Sequence, residues 1–120
     1  MSNKCIHMIP KVNSLFAAPF HENGEVISTL LSNSQFRLEH IVSFGAASEP
    51  GFWYDQQWSE WVVLIRGNAS LEFSHGQLEL TMGDHLLIPA HLKHRVSHTS
   101  ADAVWIAIHF PNPKERQSLT

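Results

Sequence analysis

The sequence predicts an all-β sandwich or barrel. Three observations carry this: short apolar runs recur at roughly ten-residue spacing, several of them alternate with a period of two, and no helical periodicity follows residue 35. The first run, Val26–Leu31, suits a strand or a short helix, and Ser32-Asn33-Ser34 ends it. In Phe36–Phe44, the residues Phe36, Leu38, His40 and Val42 fall on one face while Arg37, Glu39, Ile41 and Ser43 fall on the other, as in a half-buried strand. Residues 46–51 break the chain ahead of Glu60–Arg66. Gly67 closes that strand and Asn68 tolerates a left-handed turn, so a hairpin into Ala69–Ser74 has its turn chemistry in place. His75-Gly76 leads into Gln77–Thr81, and Met82-Gly83-Asp84 turns into His85–Pro89, where a proline that cannot donate to a central ladder fits a strand end. His94–Thr99 and Val104–Phe110 complete the set, separated by Ser100-Ala101-Asp102. The residues before 25 form a short irregular segment, and Pro111–Thr120 reads as a polar terminus.

Composition narrows the function classes. The chain has 120 residues, 8 Lys+Arg and 11 Asp+Glu, a formal net charge of −3, 43% hydrophobic and 16% charged residues. That is the balance of one folded domain, spanning residues 1–120 with its barrel core over about 25–110, and not of a disordered chain. A slightly acidic chain without a basic run is a poor phosphate-backbone binder, so no nucleic-acid partner is expected. Runs such as Trp61-Val62-Val63-Leu64-Ile65 are far shorter than the ~20 residues of a membrane helix, and no apolar h-region follows the start, so the expected location is the cytoplasm. A single cysteine, Cys5, forbids an intrachain disulfide and has no assignable base beside it. Nine histidines stand out, with His85, His91, His94 and His98 inside a 14-residue window. Such density invites a metal or proton-transfer reading, although surface histidines are common.

Two segments carry a family resemblance. Glu60-Trp61-Val62-Val63-Leu64-Ile65-Arg66-Gly67 resembles the end of the first cupin motif, a glutamate and, after six intervening residues, a glycine. Gly83-Asp84-His85-Leu86-Leu87-Ile88-Pro89-Ala90-His91-Leu92-Lys93-His94 resembles the second, and a spacer of about 15 residues separates them, the length that small bacterial cupins use. The resemblance implies a single double-stranded β-helix, the jelly-roll barrel. Phe52-Trp53-Tyr54-Asp55-Gln56, Pro89-Ala90-His91 and His94-Arg95-Val96 are similar to a subgroup of small uncharacterised single-domain bacterial cupins.

The family's usual ligands imply a divalent transition metal held by an H-x-H pair, a glutamate and a second-motif histidine. Glu60 and His94 stand at the last two positions. A three-residue gap before Glu60 puts Tyr54 and Gln56 at the H-x-H pair, and a four-residue gap puts Trp53 and Asp55 there; neither register supplies histidine. Much of a transition-metal site's affinity comes from neutral imidazoles, so Glu60 and His94 need further ligands, drawn from Asp55, Gln56, His91 and His98. His98 shares strand parity with His94, and His91 occupies the place of the family's usual glycine. The aromatic residues Phe52, Trp53, Tyr54, Trp58 and Trp61 form a pocket wall, core packing or a dimer interface.

Three functions therefore compete. The first is a metal-dependent small-molecule enzyme using zinc, iron, nickel or manganese on Glu60 and His94, with Tyr54 or His94 moving a proton and Trp53, Gln56 and Arg95 binding the ligand. The second is a metal-free binding or sensing module in which Tyr54, Gln56, Glu60 and His94 hydrogen-bond an unidentified small molecule. The third is metal-free acid–base isomerisation by His94 with Glu60. The resemblance also implies a homodimer.

Overall fold

The alternation along the chain becomes eight antiparallel strands: β1 (Val26–Ser32), β2 (Arg37–Val42), β3 (Ser59–Arg66), β4 (Asn68–Phe73), β5 (Gly76–Thr81), β6 (His85–Ile88), β7 (His94–Thr99) and β8 (Val104–Phe110). A computed structural model describes residues 8–17 and 24–111; Cys5, His7, His21 and the tail from residue 112 lie outside the described residues. The run at Val26 is a strand and not a helix, because its whole length pairs with β2 across a small irregularity between Thr29 and Leu31. β2 stops at Val42, two residues before the expected end, because Phe44 and Gly45 take φ angles of 48° and 80° and turn the chain away. Among the described residues there is no helix, hence none long and apolar enough to cross a membrane.

Two sheets form the jelly roll. One has the order β1-β2-β8-β3-β6 and the other β5-β4-β7. Their facing sides enclose a core of Val62, Leu64, Ala69, Leu71, Leu80, Ile88, Ala103, Trp105 and Ala107, with Ile41, Phe73, Leu86 and Val96 packed against it. Burial of this apolar surface at about 25 cal/mol per Å2 is the main favourable term holding the sheets together. Trp105 anchors one end, its indole N–H donating to the buried Ser43 hydroxyl at 3.0 Å.

Turn chemistry fixes the hairpins. Gly67 has φ 85°, and a Cβ there would stand 2.9 Å from the Ala103 Cα, so backbone conformation and space both require glycine. Gly83 has φ 95°, and the Asp84 carboxylate accepts the Thr81 N–H at 2.8 Å, closing the turn into β6.

The register grades the barrel's inner wall from polar to apolar. On adjacent strands of the large sheet, Arg37, His109 and Glu60 share one rung, Glu39, Ala107 and Val62 the next, and Ile41, Trp105 and Leu64 a third. Period-two alternation makes these residues share a face. The opposite face of β2 carries Leu38, His40 and Val42, with His40 and Val42 buried.

Candidate functional site

A cavity of about 100 Å3 lies at the polar end of this wall, lined by Glu25, Glu39, Tyr54, Gln56, Glu60, His94 and His109 over an apolar lining that includes Ile41, Val62, Leu71 and Trp105. Each polar group is delivered by a strand or by a segment pinned to one. Tyr54 lies outside the named strands but is held by an isolated bridge to His94: the Tyr54 N–H donates to the His94 carbonyl at 2.7 Å and the His94 N–H to the Tyr54 carbonyl at 3.2 Å. Their rings stack at 5.4 Å, and Phe52 meets the Tyr54 ring edge-on at 4.8 Å.

His94 is 4% exposed. Its Nδ1–H donates to the Leu92 carbonyl at 2.9 Å, since a carbonyl can only accept, and this leaves Nε2 of the neutral ring as an acceptor facing the cavity. Burial lowers the His94 pKa below its ordinary value, and the Leu92 hydrogen bond partly opposes the shift. The Glu60 Oε1 stands 3.8 Å from that Nε2, beyond hydrogen-bond reach. Glu60 is 9% exposed and makes no hydrogen bond among the described residues. Burial, reinforced by the Glu39 and Glu25 carboxylates and weakly opposed by Arg37, pushes its carboxyl up to about 7.

Glu39 is better satisfied. It accepts from Arg37 Nε at 2.9 Å and from His109 Nε2 at 3.0 Å. Burial is also the largest influence on His109, lowering its pKa, while the Glu39 carboxylate pulls it back up. The Tyr54 phenol is pushed above its ordinary value by burial and then by Glu25, Glu60 and Glu39, so it stays protonated at neutral pH and can donate. Glu25 is raised by burial and by Glu39.

The residues singled out in the sequence divide. Tyr54, Gln56, Glu60 and His94 line the cavity, so the three-residue gap is the register the fold adopts. Trp53 and Asp55, the other register, do not line it. Asp55 accepts from the His91 Nδ1–H at 2.8 Å, and the His91 side chain is 66% exposed. His91 has φ 65°, which explains why a glycine suits this position. Arg95 donates to Glu72 at 2.7 Å and to the Ser48 carbonyl at 3.1 Å, outside the cavity. His98 does not share the face of His94, contrary to the parity expectation. Leu71 pairs with Val96 and Ser70 with His98, so the register skips Ser97, and His98 is exposed with its Nε2 against the Asn68 side-chain oxygen at 3.3 Å. Of the aromatic group only Tyr54 lines the cavity; Trp61 packs beside His85 at 5.3 Å.

Glu25, Glu39 and His109 were not anticipated as site residues. Glu39 shares a face with Ile41 and His109 shares one with Trp105 and Ala107, so period two carried the signal in both strands. Among the described residues no group of three or more His, Cys, Asp or Glu side chains converges as a metal site would require. With a phenol and an amide in place of the imidazole pair, the residues do not fit a transition metal of the H-x-H kind.

Solved structures resemble this one closely. A Ralstonia eutropha JMP134 protein provisionally named a mannose-6-phosphate isomerase is 38% identical, with a TM-score of 0.79 over 85% of this chain and 99% of its own. A cupin superfamily protein from Desulfitobacterium hafniense DCB-2 gives a TM-score of 0.71 at 16% identity, over 87% of this chain and 95% of its own. A sugar phosphate isomerase from a cupin superfamily, from Silicibacter pomeroyi DSS-3, gives 0.60 at 24% identity, over 76% and 62% respectively. The likeness to the last two is one of fold. No family model and no curated protein matches the chain.

Proposed function

The chain belongs to the cupin superfamily, and on that premise we propose that its cavity binds a small hydroxylated carbonyl compound and moves a proton on it, an isomerase-type reaction. One observation carries this: among the described residues a buried carboxyl, Glu60, faces the cavity without a hydrogen bond, 3.8 Å from the acceptor nitrogen of His94, where burial pushes it up to about 7. A general base works best when its pKa lies near the working pH, which is where this environment holds Glu60.

In this mechanism the Glu60 carboxylate removes the proton from the carbon next to the carbonyl and returns it to the neighbouring carbon. The Tyr54 phenol donates a hydrogen bond to the carbonyl oxygen, where negative charge develops. His94, neutral and fixed by Leu92, takes the substrate hydroxyl proton at Nε2 and delivers it to the former carbonyl oxygen, so that the new carbonyl forms as the new hydroxyl is completed and His94 returns to its neutral form. Gln56 supplies amide contacts, and the apolar lining excludes water. The provisional isomerase name of the 38% identical Ralstonia eutropha relative supports the reaction class, not the substrate.

A second reading, a divalent cation held by Glu60 and His94 with Gln56, is supported by membership of the cupin superfamily and not by a convergent ligand cluster among the described residues. Elemental analysis of untagged protein before and after reconstitution separates the two, with less than about a tenth of an equivalent expected under the first. For the reaction itself, incubation with glyceraldehyde or dihydroxyacetone in D2O tests the assignment. Protein-dependent deuterium incorporation next to the carbonyl is expected, rising with pH through about 7 and falling ~100-fold or more in Glu60→Gln. Full exchange in that variant would refute the role of Glu60.

A further inference from the structure

The cavity's polar lining is acidic without a matching cation. Glu25, Glu39 and Glu60 contribute carboxyls, and among the described residues no lysine or arginine lines it. Arg37, on the same rung as Glu60, is committed to Glu39 through its Nε, and the Arg95 guanidinium is committed outside to Glu72 and Ser48. His94 spends its Nδ1–H on the Leu92 carbonyl and His109 meets Glu39 through its Nε2, so neither ring brings an uncommitted donor to Glu60. Glu60, 9% exposed, has no hydrogen-bond partner among the described residues, whereas Glu25 is exposed and open to water. A buried acceptor without a donor is costly, and a ligand that donates there removes the cost.

We propose that this cavity selects a small polyhydroxylated molecule bearing a protonated amine, accepts its neutral counterpart less well, and rejects its phosphate ester. The inference rests on reading the cavity as a small-molecule site. An ammonium group brings three donors and the counter-charge that Glu25 and Glu60 lack, and its carbon frame meets Ile41, Val62 and Trp105. A phosphate dianion finds carboxylates where it needs arginine, a helix N-terminus or a nest of backbone N–H groups. The isomerase names of the structural relatives include sugar phosphates, so the acidic wall separates this chain's ligand from the one those names suggest.

D-mannosamine, D-mannose and D-mannose 6-phosphate present one frame with the three charges. Titrating each into the full chain at pH 7 and 0.15 M NaCl, while following the ring signals of Tyr54, His94 and His109 by NMR, gives three affinities. The amine is expected to saturate these shifts at least tenfold below mannose, and the phosphate to leave them unmoved. Glu25→Gln is expected to reduce the amine's advantage over mannose to less than threefold. Equal affinity for amine and neutral sugar, tighter binding of the phosphate, or no response to any of the three overturns the proposal. The Glu60 titration in ligand-free protein tests proton transfer separately, so a Glu60 midpoint near 7 without amine preference overturns the selectivity alone.

Discussion

Glu60 Oε1 and His94 Nε2 face each other at 3.8 Å, each supplied by a different sheet of the barrel. Both side chains are buried, and both are shifted toward the neutral form: the carboxyl upward, the imidazole downward. Desolvation is the largest influence on each, so the pair is not a stable ion pair: the imidazole is held toward its neutral form and the carboxyl is poised between its two forms near pH 7. The consequences differ in sign and can be measured.

Raising the folded pKa of Glu60 from 4.5 to about 7 means the native state holds a proton that the unfolded state releases between those values. The stability linked to that proton is complete below 4.5 and is lost as pH rises through 7. At one pKa unit per 1.36 kcal/mol, the wild type loses on the order of 3 kcal/mol across this window. Glu60→Gln removes the loss, so denaturant melts should show the variant more stable at pH 8 and near wild type at pH 4.5.

His94 acts in the opposite direction. Its depressed pKa means the unfolded state binds a proton that the native state resists, so its contribution weakens as pH falls below about 6.5. His94→Gln should flatten the acid side of the stability profile, read from the same melts between pH 4.5 and 7.

Tyr54→Phe keeps the ring that stacks on His94 and removes only the phenol. Thermal stability should change by less than about 1 kcal/mol, while deuterium exchange falls by roughly 100-fold. His98→Ala should leave exchange at the wild-type rate, since its side chain lies away from the cavity.

His91 holds a left-handed conformation that costs a non-glycine residue about 1 kcal/mol. His91→Gly should therefore be more stable than His91→Ala by about that amount, because both lose the exposed contact to Asp55 and only one relieves the backbone. Gly67→Ala combines φ 85° with a 2.9 Å approach to Ala103 and should destabilise by roughly 2–4 kcal/mol.

Much of the fold was legible in the sequence because period two and turn residues are local signals. Strand positions held within one or two residues, and Gly67 and Gly83 stand at turns whose φ angles are positive. The site was only partly legible. Motif spacing placed Tyr54, Gln56, Glu60 and His94, but not Glu39 and His109, which reach the cavity from β2 and β8 through pairings distant in sequence. His98 was misplaced because a register irregularity opposite Ser70 and Leu71 cannot be read from alternation. Asp55 and His91 meet across 36 positions at the exposed rim, a contact that depends on the β6–β7 turn.

The most direct test is the protonation of Glu60 in ligand-free protein, followed through the pH dependence of its side-chain carboxyl carbon by NMR, with Glu60→Gln assigning the signal. A midpoint at about 7 is predicted. A midpoint between 4 and 5, the ordinary range of an exposed glutamate, would contradict a desolvated base at this position.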